Sequence, residues 1–102
     1  MPRYLAELYL PRRGSSGLRE AATRARRAAD AMTREGTPIR YLRALHLGDD
    51  EVCFHLYEAA SVDLVREASR RAAIPVERVT ETLDVDPEAP PDPGERSESC
   101  EG

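Results

Sequence analysis

The chain has 102 residues, 19 acidic and 15 basic side chains and a formal charge of −4 at pH 7, room for one domain around one core. No apolar run is long enough to cross a membrane as a helix, and the N-terminus runs into a strand within a few residues. A cytoplasmic protein with no leader and no membrane partner is therefore expected. Two cysteines, one of them in the C-terminal stretch, make no disulfide framework and fit a reducing compartment. Beyond Val85 stand Asp86, Glu88, Asp92, Glu95, Glu98 and Glu101 against Arg96, so five net negative charges belong to the last residues and the rest carries about one net positive charge. A nearly neutral body argues against a nucleic-acid partner, which calls for a basic excess on one face.

In chain order, Arg3 to Leu10 reads as a first strand, and Pro11 to Gly17 as a loop. Leu18, Ala21, Ala22, Ala25, Ala28, Ala29 and Met32 recur at three- and four-residue spacing, the stripe of an amphipathic helix. Ser15 or Ser16 is placed to cap its start, and Gly36 stops it ahead of Pro38. Ile39 to Leu47 and Glu51 to Ala59 are two strands joined by Gly48, Asp49 and Asp50. Ser61 is placed to cap a second helix, striped by Leu64, Val65, Ala68 and Ala72 and ended by Pro75. Val79 to Val85 is the last strand. Residues 86–102 are acidic and Pro-rich and are expected to be a disordered tail. The order β-α-β-β-α-β over residues 1–85 is the ferredoxin-like α+β arrangement, a four-stranded antiparallel sheet with both helices on one face.

With helices on one side only, the other face meets solvent or a partner. In the third strand Val52, Phe54 and Leu56 alternate with Cys53, His55 and Tyr57, and hydrophobicity assigns the first set to the helix side. In the first strand Leu5, Glu7 and Tyr9 face away from the helices. A turn centred on Asp49-Asp50 then brings Leu42, Ala44 and His46 to the same open face as Cys53, His55 and Tyr57. That mixed face suits a homodimer whose sheets meet around a cavity. Arg43 resists this register, because it falls on the helix side where a charge is costly, and a bulge in the second strand is one repair.

The register sets His46 directly opposite Cys53, with His55 two residues further along. Thiolate and imidazole donors suit nickel, zinc or copper rather than magnesium or calcium. His46, Cys53 and His55 are thus candidate metal ligands. Glu7, Tyr9 and Tyr57, with His55, are candidates to hold or protonate a small molecule. The competing explanation is that Cys53 is a buried small hydrophobe and the histidines are hydrogen-bonded interface residues. No complete catalytic signature is present, since Cys53 and His55 at i and i+2 on a strand point in parallel with no orienting third group. Asp49 to Glu51 reads as a solvated turn. The arginines at positions 24, 26, 27, 70 and 71 are interspersed with Glu20, Asp30 and Glu67 as on solvated helix faces.

Met1 to Leu5 (MPRYL), Ile39 to Arg43 (IRYLR), Cys53 to Ala59 (CFHLYEA), Val65 to Arg71 (VREASRR) and Ile74 to Val79 (IPVERV) together resemble a bacterial family of short proteins. That family is catalogued as a domain of unknown function, and its members are often labelled nickel-binding proteins. The resemblance covers nearly all of residues 1–85 and stops at the tail. It implies a ferredoxin-like fold, a homodimer and, for at least some members, nickel binding. Where many relatives carry Trp and then His in the second strand, this chain has Tyr41 and Arg43; where many carry Cys in the third, it has His55. The exchange at His55 keeps a ligand and the one at Arg43 removes one, which Cys53 and His46 can replace.

The expectation is a small cytoplasmic homodimer that binds nickel through His46, Cys53 and His55 on the sheet face without catalysing a reaction. The alternative is a dimeric α+β barrel enzyme or carrier enclosing a small organic ligand between the sheets.

Overall fold

Alternation in the first strand decides where the core lies. The protein is seen in a computed structural model that describes residues 1–10, 17–83 and 87. In β1 (Arg3–Tyr9), Tyr4, Ala6 and Leu8 are buried while Leu5 and Glu7 are half-buried and Tyr9 is exposed. The elements that follow are α1 (Leu18–Arg34), β2 (Ile39–Leu47), β3 (Val52–Ala59), α2 (Val62–Arg71) and β4 (Arg78–Thr82). The strands form one antiparallel sheet in the order β2-β3-β1-β4. Both helices pack on the side of Tyr4, Ala6 and Leu8, giving the ferredoxin-like α+β fold. Residues 84–86 and 88–102 lie outside the described residues, and with them the end of the expected last strand and all but one residue of the tail expected over 86–102, as do Ser15 and Ser16.

Helix α1 buries Ala25, Ala28, Ala29 and Met32, so a stripe of mostly methyl side chains lies against the sheet. Small side chains let a helix backbone come close to a sheet without opening a void. The helix ends where Gly36 takes φ +100°, a left-handed conformation that glycine adopts freely. Thr33 fixes the turn into β2: its hydroxyl donates to the Ile39 carbonyl at 2.8 Å and accepts from the Ile39 amide at 3.1 Å. Ser61 occupies the N-cap of α2 as expected, but its side chain makes no capping bond. At the other end Ala73 turns left-handed and the Ile74 amide returns to the Ser69 carbonyl at 2.9 Å. Arg71 ties the helices together on the surface, bridging Glu35 and Glu67 at 2.9 Å each.

The hairpin register is the one expected, with His46 opposite Cys53 across β2 and β3. The faces are the reverse of the expectation for β3 and most of β2. Ala6 pairs with His55 and Leu8 with Cys53, so Cys53, His55 and Tyr57 lie on the helix side with Tyr4, Ala6 and Leu8. Val52, Phe54 and Leu56, assigned to the core by hydrophobicity, are half-buried on the open face with Leu5 and Glu7. A bulge at Leu42, where the register shifts between Tyr41 and Arg43, keeps both Ile39 and Tyr41 in the core and sends Arg43 to the open side. The charge that resisted the expected arrangement is thereby exposed, opposite Leu56.

Candidate functional site

Three polar side chains from the central hairpin sit beneath the helices in contact with one another. Cys53 is fully buried and His55 is 1 % exposed. The His55 ring stands between two partners: its Nδ1 lies 2.8 Å from the Tyr41 hydroxyl and its Nε2 lies 3.8 Å from the Cys53 sulfur. The Tyr41 ring meets His55 at a centroid distance of 5.7 Å and Tyr57 edge-on at 5.2 Å. Strand alternation produces the pair, since i and i+2 residues project from the same face. The Leu42 bulge adds Tyr41, because without it the ring of residue 41 would fall on the opposite side.

Burial sets the protonation of this group. Loss of water pushes His55 down to about 4, with the Arg24 guanidinium adding to the effect, so the imidazole is neutral at pH 7. Burial alone pushes the Cys53 thiol up to about 11, and it raises Tyr41 as well. A protonated phenol donates to Nδ1 when that nitrogen is bare, which leaves the imidazole proton on Nε2, facing the sulfur. The Tyr57 phenol is also held above its ordinary value by burial, opposed by the neighbouring Ser69 hydroxyl. Neither the Tyr57 nor the Ser69 hydroxyl completes a hydrogen bond of good geometry.

Cys53 and His55 form part of the wall of a cavity of about 230 Å³ between the sheet and α1. Leu8, Leu18 and Ile74 supply apolar wall, and Arg24 is the one charged residue among the described lining residues. The exposed residues Tyr9, Gly17 and Ala73 border it, so the cavity reaches solvent. Arg24 is held by its Nε, which donates to the Ala72 carbonyl at 2.8 Å near the end of α2.

The residues expected to act together are divided between two faces. Cys53 and His55 are adjacent, and Tyr57 joins them on the helix side. His46 shares that side, but its Nε2 is 3.2 Å from the Leu10 carbonyl. Among the described residues no three His, Cys, Asp or Glu side chains gather as for a metal ion. Glu7 and Tyr9 lie on the open face, where Glu7 pairs with Arg78 at 3.6 Å and the Tyr9 hydroxyl donates to Glu51 at 2.8 Å. Glu7 therefore lies across the sheet from Tyr57 and His55, and Tyr9 reaches the cavity only at its exposed border, so the expected cluster of Glu7, Tyr9, His55 and Tyr57 on one face is corrected. Sequence reasoning missed Tyr41 and Arg24. Tyr41 was hidden by the bulge, and Arg24 was read as one more solvated helix charge.

The donor set fits a nickel ion in kind. Bonds of about 2.0 Å to nitrogen and about 2.3 Å to sulfur, typical of a borderline divalent metal, together span the 3.8 Å between His55 Nε2 and Cys53 Sγ. In number it is short, with two such donors in contact.

Residues 9–82 match the profile of the family described as nickel responsive protein SCO4226-like. No curated protein and no solved structure matches the chain. The chain belongs to the nickel responsive protein SCO4226-like family.

The depressed pKa of His55 makes folding pH-dependent with a definite sign. Below 6.5 the unfolded chain takes up a proton that the folded chain accepts only near 4, so stability is lost as pH falls through that window. The loss assignable to this residue is on the order of 3 kcal/mol. Urea unfolding of the protein and His55→Gln at pH 7.5, 6, 5 and 4 is expected to show a steeper decline in the parent between pH 6.5 and 4; parallel curves would contradict the burial of a neutral imidazole.

Proposed function

We propose that this protein is a nickel-binding member of its family, not an enzyme, and that Cys53 and His55 are the side chains that hold the metal. The supporting observation is the contact between a thiol and a neutral imidazole, 3.8 Å apart on the wall of a solvent-connected cavity. Nickel bound there would act as a Lewis-acidic ion gripped by soft and borderline donors. To offer its Nε2 lone pair, His55 would carry its proton on Nδ1 and donate it in a hydrogen bond to the Tyr41 oxygen. Tyr41 thereby holds the ring in orientation whichever nitrogen carries the proton. Cys53 releases its proton to solvent on binding, so affinity rises with pH. His46 joins as a third donor only by giving up the Leu10 carbonyl, and it is better suited to holding the end of β1 against β2.

The same reading makes the protein a homodimer through its open face. Leu5, Val52, Phe54 and Leu56 form a half-buried apolar strip there, extended by Leu45 and Leu47, each 45 % exposed. Ion pairs border it, Glu7 with Arg78 and Glu58 with Arg3 and Arg40. An apolar centre with a charged rim is the anatomy of a protein interface, and a two-fold axis lets one such strip cover its copy.

Calorimetric titration of nickel into metal-stripped protein tests the metal reading. Saturable binding is expected, lost in Cys53→Ser and His55→Ala and kept in His46→Ala. Binding indifferent to Cys53 and His55 would refute it. Sedimentation equilibrium is expected to give a dimer that Leu56→Arg converts to a folded monomer; a monomeric parent at tens of micromolar would refute the interface.

A further inference from the structure

Resting on the metal reading above, we propose that the metal is held here as a chelate: a small organic anion, its carboxylate on Arg24, occupies the cavity over Cys53 and His55 and supplies the donors that the chain lacks. Three features of the site lead to this. The first is donor number. Structural metal sites close with four donors, whereas two soft or borderline side chains are in contact here and, among the described residues, no third His, Cys, Asp or Glu accompanies them.

The second is space. A water occupies about 30 Å³ in the liquid, so the cavity of about 230 Å³ has room for several waters or a small molecule. A single ion leaves most of it empty. Its walls are largely apolar, with Leu8, Leu18 and Ile74 beside the polar groups, as in sites that enclose an organic ligand.

The third is charge. Arg24 is the one charged residue among the described lining residues, and no described carboxylate pairs with it. Its Nε is committed to the Ala72 carbonyl at 2.8 Å, which fixes the guanidinium while leaving its terminal N–H groups as donors. Fixed at the cavity wall, the Arg24 guanidinium opposes a bare divalent ion. A metal that arrives with a carboxylate reverses the sign of that interaction. The chelate class that fits is an amino-acid or hydroxy-acid anion with two or three nitrogen or oxygen donors and one carboxylate free to meet Arg24.

The test compares nickel chloride alone with nickel premixed with one equivalent of L-histidine, each titrated into the metal-stripped full chain. The premixed form is expected to bind at least about tenfold more tightly, a margin of the size that a partly shielded ion pair supplies. Arg24→Gln is expected to erase that preference while leaving bare nickel binding unchanged or slightly stronger, and Arg24→Lys to restore much of it. Circular dichroism melts check that the variants fold, and the comparison on the unaltered protein needs no variant. If bare nickel binds as tightly as the premixed form and binding still requires Cys53, the chelate proposal is overturned and the metal reading survives. If neither form depends on Cys53 or His55, both are overturned.

Discussion

The pairing of Ala6 with His55 across β1 and β3 fixes the side of the sheet on which the chemistry lies. Strand residues alternate between faces with a period of two, so that one pairing commits every side chain of β3. Cys53, His55 and Tyr57 go under the helices, and Val52, Phe54 and Leu56 go to the open face. A slip of one residue would put the apolar set under the helices and leave Cys53 and His55 outside, with ordinary protonation and no cavity. The Ala stripe of α1 makes the observed choice tolerable. Methyl groups at Ala25, Ala28 and Ala29 leave depth beneath the helix for a histidine and two tyrosines.

Burying those groups has a cost that the local contacts offset. A buried imidazole needs partners for both nitrogens, and Tyr41 and Cys53 provide them. The bulge at Leu42 belongs to the same arrangement, because it places the Tyr41 ring on the helix side while turning Arg43 outward. The result is a polar cluster that is neutral at pH 7 and opens on a cavity with one cationic wall. An anionic or thiolate-dependent ligand is the natural complement of such a site. The family to which the chain belongs carries nickel response in its name, and under the proposed reading a soft donor beside a borderline one would serve such a metal.

Most of the fold was legible in the sequence. The three- and four-residue spacing of alanines gave α1, Gly36 marked its end, and the symmetry about Asp49-Asp50 gave the hairpin register. The face of β3 was not read correctly because hydrophobicity ranked Val52, Phe54 and Leu56 above Cys53, His55 and Tyr57. Two signals pointed the other way. Glu58 continues the first series and Ala59 the second, so extending the alternation by one step puts a carboxylate on the supposed core side. Arg43 raised the same objection from β2, and reversing the faces answers it by setting Arg43 opposite Leu56 on the open side. The high apolar content of the open face is then what the proposed dimer interface would cover. Arg24 could not be singled out from its neighbours, since only the packing of α1 against the cavity distinguishes it from Arg26 and Arg27.

Near-ultraviolet absorption of the nickel-loaded protein in a C100S background reads the Cys53–His55 pair itself. Thiolate bound to nickel gives an intense sulfur-to-metal charge-transfer band. The arrangement of Cys53 beside His55 predicts that band in the loaded protein, its disappearance in Cys53→Ser and its displacement in His55→Ala. Stoichiometric nickel binding with no sulfur band would contradict it and place the metal away from the buried pair.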